Sequence, residues 1–320
     1  MLAAYREKYC PPQNLQVTEI PDPVPGPGEI LVRVHATTVN RTDCAVLTAK
    51  PFIMRFFTGL IKPKLPVPGT DFAGEVVSLG AGVSNFKAGD RVFGFKDTGL
   101  GSQAQLMSIS ESAPLAKIPE GISYADAAAS LEAAHYAYNF LKKMKLAPGM
   151  HVLVNGASGG IGSAMVQMLR QRAVNITAVC NGKNVEPVRT LGADRVINYE
   201  REDFTQSGGQ FEFVFDAVGK SSFAKCRHLL NPKGCYLSSE PGPGGQNLFL
   251  PLLTAPWGGR RVHFPIPTDI QASITFISGM LSKGTFRPLI DRTYPLARIG
   301  EAYSYVMTGQ KTGNVVVTME

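Results

Sequence analysis

The sequence predicts an α/β protein in which a β-rich domain is followed by a doubly wound parallel sheet. Residues 1–118 contain short, β-branched runs separated by glycines, as hairpins and barrel corners require. From about residue 118, apolar runs alternate with helical segments of roughly 10 to 15 residues, a pattern typical of β-α-β units. The 320 residues of the chain also exceed the roughly 250 at which a single core stops growing. We therefore expect two domains.

Composition and charge narrow the class of protein. Apolar residues make up 44% and charged residues 18% of the chain, and the mean hydropathy is near zero, which is typical of a soluble globular protein. The net charge of +7 favours an anionic ligand by long-range attraction. The basic residues form no run and no RNA-binding signature, so a nucleic-acid partner is not expected.

The spacing of the cysteines and the lack of long apolar segments indicate the cellular compartment of the protein. Five cysteines are widely separated, odd in number and without a Cys-x-x-Cys pair, which favours free thiols in a reducing environment. The first residues, "MLAAYREKYC", lack the apolar stretch of a secretory signal, and no apolar segment reaches the ~20 residues of a membrane span. We expect a cytoplasmic protein without stable membrane insertion.

Strands dominate the first domain. "GEILVRVHATTVN" alternates in polarity, and "GTDFAGEVVSLGAGVSNFKAGDRVFGF" carries a glycine every few positions. Between them lies "AKPFIMRFFTGLIKPKLPVPG", which is apolar and basic without a clean period. It is either a surface loop with a short helix, or an aromatic wall for a substrate formed by Phe52, Phe56 and Phe57. A membrane-surface role is disfavoured because the segment has no sustained helical moment.

The second half begins with a helix and continues as an α/β alternation. "SYADAAASLEAAHYAYNFLKKM" is rich in alanine, and Ser123 is a plausible N-cap. The strand candidates that follow are "HVLVNGA", "NITAVC", "RVINY", "FEFVFDAVG" and "GCYLSSE". A helix, "DIQASITFISGMLSKG", precedes the closing strand "GNVVVTM".

A glycine-rich turn joins the first of these strands to an amphipathic helix. Ala157, Gly159 and Gly162 match the positions at which a dinucleotide fingerprint needs a tight turn, close approach to pyrophosphate and helix–strand packing. Backbone N–H groups at the helix start would face the phosphates. The turn therefore predicts a dinucleotide cofactor, and its candidate contacts are Ala157, Ser158, Gly159, Gly160, Ile161 and Gly162.

The residues after the second strand bear on the choice of cofactor. A carboxylate there accepts a hydrogen bond from the ribose 2′-OH of NAD and repels the 2′-phosphate of NADP. This chain instead has Asn181, Gly182 and Lys183, which favours NADP(H), unless Lys183 merely points to solvent. Tyr199, after the third strand, either flanks the adenine or the phosphate, or is a half-buried core tyrosine.

These motifs together carry a family resemblance. "GTDFAGEVVSLGAGVSNFKAGDRVFGF", "NGASGGIGSAMVQ", "LGADRVINYEREDF", "FDAVG" and "RPLIDRTYPLARIGEAYSYVMTGQKTGNVVV" resemble the medium-chain dehydrogenase/reductase superfamily, in its zinc-free quinone oxidoreductase and enone reductase branch. The resemblance implies a GroES-like β-barrel catalytic domain (1–118, closing with 266–320), a Rossmann NADP(H)-binding domain (119–265) and a homodimer formed through the Rossmann sheet edge.

The chain departs from the zinc-dependent members of that superfamily. Where they have cysteine and histidine ligands, this chain has Asn40 and Thr70, and the region from Glu132 to His135 offers no cysteine. The segment "VFGFKDTGLGSQAQLMSI" also lacks the four cysteines of a structural zinc lobe. Because zinc needs nitrogen and sulfur ligands at fixed spacing, we expect no metal.

The resemblance also implies roles for individual residues. Asn40 and Asp43 would line the substrate side of the nicotinamide, and Thr42 would donate a hydrogen bond or relay a proton. Alternatively, this segment is a polar turn in which Asp43 caps a short helix. Arg41 would reach the pyrophosphate, and Val218, His263 and Phe264 would contact the cofactor. Tyr136 replaces a threonine that many relatives carry near the nicotinamide.

These expectations define a function and two alternatives. Without a Lewis acid, a conjugated acceptor is better matched to hydride transfer than a simple alcohol is. We therefore expect an NADPH-dependent oxidoreductase that reduces a small apolar quinone or α,β-unsaturated carbonyl. The alternatives are an NAD(P)-dependent alcohol dehydrogenase and a non-catalytic NADPH-binding sensor or structural protein.

Overall fold

The chain folds into two compact units. A computed structural model describes residues 1–254 and 258–320. One unit combines Met1–Glu132 with Asp269–Glu320, and the other consists of Ala133–Thr268. The first unit is thus built from both ends of the chain.

The N-terminal part of the first unit is mostly β-structure. Its elements are β1 (Leu2–Tyr5), β2 (Gln16–Glu19), β3 (Glu29–Val39), α1 (Arg41–Thr48), α2 (Met54–Thr58), β4 (Asp71–Leu79), β5 (Arg91–Phe95), β6 (Leu106–Ser110), β7 (Leu115–Lys117) and α3 (Tyr124–Ala129).

The second unit alternates strands and helices. Its elements are α4 (Glu132–Leu141), β8 (His151–Asn155), α5 (Gly160–Arg170), β9 (Asn175–Cys180), α6 (Val185–Thr190), β10 (Arg195–Asn198), β11 (Phe211–Asp216), α7 (Phe223–Cys226), β12 (Leu230–Ser238), α8 (Gln246–Thr254) and β13 (Arg261–His263).

The C-terminal segment completes the first unit. Its elements are α9 (Ile270–Ser282), β14 (Ile290–Pro295), α10 (Ile299–Met307) and β15 (Asn314–Thr318). β15 pairs antiparallel with β3, with Val316 opposite Thr38. This pairing ties the end of the chain to the longest strand of the N-terminal domain.

The sheet of the first unit is largely antiparallel. Its strand order is β14-β15-β3-β4-β5-β7, and β6 pairs with β3. Apolar residues from β3, β4, β15 and α10, including Ile30, Phe72, Val317 and Tyr303, form its core. The β-rich first domain predicted from the glycine-punctuated runs is therefore confirmed.

Two boundaries differ from the sequence expectation, and the later one moves only from residue 266 to Asp269. The sequence analysis places residues 119–132 in the second domain, whereas the structure places them in the first unit. α3 contacts β3 and β4, and its Ala127, Ala128 and Ala129 are buried. The small alanine side chains allow this close packing on the sheet. The Ser123 side chain accepts a hydrogen bond from the Asp126 N–H, as expected of the N-cap.

The second unit contains a six-stranded parallel sheet of order β10-β9-β8-β11-β12-β13. In chain order these strands read 3-2-1-4-5-6, which is the doubly wound Rossmann arrangement. The order reverses between β8 and β11, and in such sheets ligands bind outside the carboxyl ends of the strands at this switch point. The glycine-rich turn follows β8 directly, so it lies at the switch point.

Candidate functional site

The turn between β8 and α5 depends on glycine at two positions. Gly156 has a φ of +80°, and a Cβ placed on it would lie 2.4 Å from Val218 Cγ1. A Cβ on Gly162 would lie 2.2 Å from the Gly156 carbonyl oxygen. The tight turn is therefore made by Gly156, which the sequence analysis did not single out, and Ala157 beside it is fully buried.

Gly159 is different, because the fold itself leaves room for a side chain there. Its φ is −76°, and a Cβ would meet only the Gly156 carbonyl oxygen, at 3.4 Å. Gly159 is the N-cap of α5, whose first N–H groups have no acceptor within the helix. The missing side chain leaves this positive helix end open to an anion, as a pyrophosphate requires.

Asp216 organises the loop on the other side of the switch point. It is fully buried at the end of β11, and its Oδ1 accepts hydrogen bonds from Asn155 Nδ2 and from the N–H groups of Val218 and Gly219. The Tyr236 hydroxyl donates to Oδ2 at 2.9 Å. Asp216 thereby holds Val218 against Gly156. The sequence analysis did not single it out, because its partners come from distant strands.

The carboxyl ends of β9 and β10 lie side by side, with Asn198 opposite Cys180. The Gly182 N–H donates to Glu200 Oε2 at 2.9 Å. A carboxylate is therefore present beside this loop, although it comes from the next strand rather than from the end of β9. The sequence analysis looked for the acid only directly after the second strand and so missed Glu200.

The remaining candidates at this edge are accessible. Lys183 is exposed, and the Asn181 side chain accepts a hydrogen bond from Asn184. Tyr199 is 54% exposed, so it is not a half-buried core residue. It borders an open groove of about 760 Å³, a volume in the range of small-molecule sites.

At the other end of the sheet, His263 closes β13 and is half-buried, as is Phe264. Burial lowers the pKa of His263, and the nearby Arg261 and Lys143 lower it further. In α4, Tyr136 is half-buried and its ring meets that of His135 edge-on at 5.7 Å.

In the first unit, the "NRTDC" segment caps a helix and also forms a buried polar cluster. The Asn40 side chain accepts from the Asp43 N–H at 2.8 Å, and Asp43 Oδ2 accepts from the Asn40 N–H at 3.1 Å. This is a reciprocal capping box on α1. The Asn40 amide also donates to Thr70 Oγ1 at 2.9 Å. The capping role is therefore present, and both polar side chains remain in the cluster.

Thr42 has a buried acidic partner. Its hydroxyl donates to Glu132 Oε1 at 2.9 Å. Burial raises the pKa of Glu132 to about 7, against the lowering effect of the Thr42 hydrogen bond and of the Lys311 ammonium. The sequence analysis considered Glu132 only as a poor metal ligand, since no local pattern connects residues 42 and 132.

Two further carboxyl groups share this environment. Burial raises the pKa of Asp71 to about 6, although Thr38 donates to it from its N–H and its hydroxyl. Burial, and then the neighbouring Asp71, raise the pKa of Asp43 well above its usual range. Glu132 and Asp43 can therefore hold a proton near neutral pH, which suits general acid chemistry.

The aromatic candidates lie on the surface. Phe52, Phe56 and Phe57 are 67%, 62% and 57% exposed, on and before the short helix α2. This corresponds to the surface-loop alternative. Phe57 differs from the other two in lining a cavity of about 360 Å³. Arg41, at the start of α1, is also exposed.

The described residues form neither a metal-ligand cluster nor a membrane-spanning helix. Between residues 1 and 254 and between 258 and 320, no group of three or more His, Cys, Asp or Glu side chains is arranged to hold a metal ion. In the same ranges no helix combines the length and the apolarity that a bilayer crossing requires.

Family models match both parts of the chain. A model described as "Alcohol dehydrogenase GroES-like domain" matches residues 26–120. A second model, described as "Zinc-binding dehydrogenase", matches residues 191–317. The GroES-like domain and the Rossmann-type parallel sheet expected from the sequence are thereby confirmed.

Similar proteins cover nearly the whole chain. The chloroplast envelope quinone oxidoreductase homolog of Arabidopsis thaliana is 28% identical over 322 residues, covering 95% of this chain and 94% of the relative. The chloroplastic NADPH-dependent alkenal/one oxidoreductase of the same plant is 29% identical over 315 residues, covering 95% and 74%. The fold is similar to that of the quinone oxidoreductase from Coxiella burnetii, with a TM-score of 0.88 at 24% identity and coverage of 100% and 99%. The 2-methylene-furan-3-one reductase of Solanum lycopersicum is 30% identical over 300 residues, covering 90% of this chain and 71% of the relative. The chain therefore belongs to the medium-chain dehydrogenase/reductase superfamily of oxidoreductases.

Proposed function

We propose that this enzyme transfers a hydride from NADPH to a quinone or an α,β-unsaturated carbonyl without zinc. The observation that carries the proposal is the 2.9 Å hydrogen bond from the Asn40 amide to Thr70 Oγ1. These residues stand where the zinc-dependent members have ligands. An amide and a hydroxyl that bond each other are not a zinc site, since zinc takes thiolate, imidazole and carboxylate ligands.

The glycine turn and the loop after β9 support NADP(H) as the cofactor. Gly159 leaves the N-terminus of α5 open for the pyrophosphate. Lys183 is exposed and can pair with a 2′-phosphate, while Glu200 occupies the Gly182 N–H and opposes that phosphate. We propose that the attraction between Lys183 and the 2′-phosphate outweighs the repulsion by Glu200. This agrees with the NADPH dependence named for the alkenal/one oxidoreductase relative.

The polar cluster around Thr42 supplies the proton that the reduction needs. When bound, the reduced nicotinamide supplies the hydride. Negative charge then develops on an oxygen, of the quinone itself or of the enolate formed after addition at the β-carbon. Thr42 donates its proton to that oxygen, and its hydroxyl rotates to accept the proton of the Glu132 carboxyl. The acceptor thus gains one hydride and one proton, and Glu132 regains its proton from solvent.

The aromatic residues support an apolar acceptor. Phe52, Phe56 and Phe57 are exposed on and just before α2, where they form an apolar surface. The quinone and alkenal/one names of the relatives agree with this chemistry. We propose a small, apolar carbonyl or quinone as substrate.

The assembly and the compartment are also proposals. The edge strand β13 lies beside α8, on which Leu248, Phe249, Leu252 and Leu253 are 50% to 75% exposed. A second copy of the chain would cover this apolar helix and pair the edge strand, which supports a homodimer. All five cysteines are free, and burial raises the pKa of Cys44 to about 12; unreactive free thiols support a reducing, cytoplasmic location.

The test is a panel of acceptors. The purified protein is incubated with NADPH or NADH and a benzoquinone, an alkenal or a saturated aldehyde, and loss of the reduced-nicotinamide absorbance is followed. We expect oxidation with the quinone or alkenal, faster with NADPH. Reduction of the saturated aldehyde alone, with stoichiometric zinc in the protein, would establish the alcohol dehydrogenase alternative. Tight NADPH binding without turnover on any acceptor would establish the sensor.

A further inference from the structure

The first unit contains a cavity whose walls are both apolar and cationic. Its volume is about 360 Å³, within the roughly 300–1,000 Å³ that small-molecule sites occupy. It is bordered by α1, by the end of α2 and by the chain that leads to Thr70. Among the residues that line it are Phe57, Leu65 and Val67, and also Arg6, Lys64 and Lys96.

Arg6 is the unusual member of this lining. Its side chain is only 4% exposed, and its Nε has no hydrogen-bond partner. The guanidinium is held by one bond from Nη1 to the Val46 carbonyl oxygen at 2.6 Å and lies over the Tyr9 ring at 5.4 Å. A buried cation with unused donors is costly unless an anion or acceptor reaches it.

No carboxylate neutralises this cavity from within, since its lining residues include three cations and no acid. No Asp or Glu forms a salt bridge with Arg6 among residues 1–254 and 258–320. Burial raises the pKa of Asp43, the acidic residue whose charge would act on Arg6, well above its usual range. The positive charge of the cavity is therefore left for a ligand.

We propose that this cavity binds an amphipathic carboxylate, whose charged group meets Arg6 and whose apolar body lies against Phe57, Leu65 and Val67. Lys64 and Lys96 are exposed on the same lining, so they attract the carboxylate as it enters. The Arg6 guanidinium supplies a buried positive charge for the carboxylate, and among the described residues only its Nη1 is already engaged, by the Val46 carbonyl oxygen. Phe57 also belongs to the proposed acceptor surface, but carboxylate binding requires neither cofactor nor acceptor, so its failure and the failure of the proposed reaction are distinguishable.

Calorimetric titration of the full chain, without cofactor, tests the ligand class. The probes are decanoate, which has both features, decanol, which lacks the charge, and acetate, which lacks the apolar body. We expect one saturable site for decanoate, at least about tenfold weaker binding of decanol because the charge-assisted bonds are lost, and no measurable binding of acetate. Equal affinity for decanol, or no saturable binding of decanoate, would overturn the proposal.

Matched variants locate the site. Phe57→Ser and Phe56→Ser remove equally exposed rings, but only Phe57 lines the cavity. Lys96→Met and Lys62→Met each remove one exposed charge, but only Lys96 lines the cavity. We expect decanoate binding to weaken about fivefold in Phe57→Ser and in Lys96→Met and to stay unchanged in the two controls. An equal loss in Phe56→Ser or Lys62→Met would assign the binding to the general apolar, basic surface and refute the cavity.

Discussion

Gly159 and Gly162 in the β8–α5 turn are glycine for different physical reasons. A side chain at Gly162 would overlap the Gly156 carbonyl, whereas one at Gly159 would make only an ordinary contact. Gly162 is thus required by packing within the protein, whereas packing does not require Gly159, for which we propose that the approach of a ligand to the helix N-terminus is the reason.

This difference predicts opposite results for two alanine variants. Gly159→Ala should keep the wild-type melting temperature within a few degrees and weaken NADPH binding by about tenfold or more, because the methyl group occupies the phosphate position. Gly162→Ala should lower the melting temperature clearly, because the backbone must move. Thermal unfolding and a fluorescence titration with NADPH measure both effects. Undiminished NADPH binding by a well-folded Gly159→Ala protein would place the phosphates elsewhere.

Glu132 predicts a pH dependence of activity. Its pKa is about 7, and in the proposed reaction the protonated carboxyl supplies the proton through Thr42, so kcat should fall as pH rises above about 7. Glu132→Gln should lower kcat about a hundredfold and remove this fall. The measurement is the pH profile of kcat, with NADPH affinity as a control for folding. Thr42→Ser should keep activity and Thr42→Val should lose it; a wild-type profile in Glu132→Gln would remove Glu132 from the reaction.

Glu132 also makes the free energy of unfolding depend on pH, and the direction of this dependence follows from its raised pKa. The folded protein holds this proton up to a pKa of about 7, whereas an ordinary glutamate releases it near 4.5. Between these pH values the folded state binds more protons than the unfolded state, so the Glu132 contribution to the free energy of unfolding falls as pH rises. Glu132→Gln should remove that fall, as urea unfolding at several pH values would show.

At the scale of elements, the ends of β9 and β10 carry the residues on which the proposed preference for NADPH over NADH rests. The parallel register sets Asn198 opposite Cys180, which brings Glu200 to the Gly182 N–H beside Lys183. A cation and a carboxylate from neighbouring strands therefore act in opposite directions on a 2′-phosphate.

Two substitutions separate these effects. Lys183→Met should raise the KM for NADPH about tenfold and leave that for NADH nearly unchanged, because only the 2′-phosphate loses its partner. Glu200→Gln should lower the KM for NADPH, since a repelling charge is removed. Steady-state kinetics with both cofactors gives the ratio, and Lys225→Met removes a comparable exposed lysine of the adjacent groove as a control. Equal changes for NADPH and NADH in Lys183→Met would contradict the assignment.

At the scale of the whole molecule, the exposed apolar face of α8 predicts self-association. Leu252 and Leu253 are 75% and 64% exposed, and a second copy would bury them. Leu253→Asp should convert a dimer to a monomer, because a buried unpaired charge opposes association. Light scattering with size-exclusion chromatography measures the mass. Val24→Asp, at an 85% exposed residue of the other unit, should leave the dimer intact, and a monomeric wild-type protein would refute the prediction.

Local sequence patterns were sufficient to predict the main strands and helices and their succession along the chain. The alternation in "GEILVRVHATTVN" predicts β3, and apolar runs separated by helices predict the parallel sheet, because side-chain periodicity follows directly from backbone geometry. The glycine spacing likewise marked the turn after β8. The spacing alone assigned the tight turn to Ala157, one residue later than the structure does. Only the positive φ of Gly156 shows that the chain turns there.

The sequence by itself therefore determined the fold class and the position of the glycine-rich turn. Through the family resemblance it also showed that Asn40 and Thr70 stand where zinc-dependent members have ligands. All of these features lie within short segments. Only the tertiary structure decided that Glu132 meets Thr42, that Glu200 reaches Gly182 and that Arg6 is buried in a cavity. The physical reason is distance along the chain. These pairs are joined by strand register and packing across 18 to 90 residues, and no local periodicity records which side chains such packing brings together.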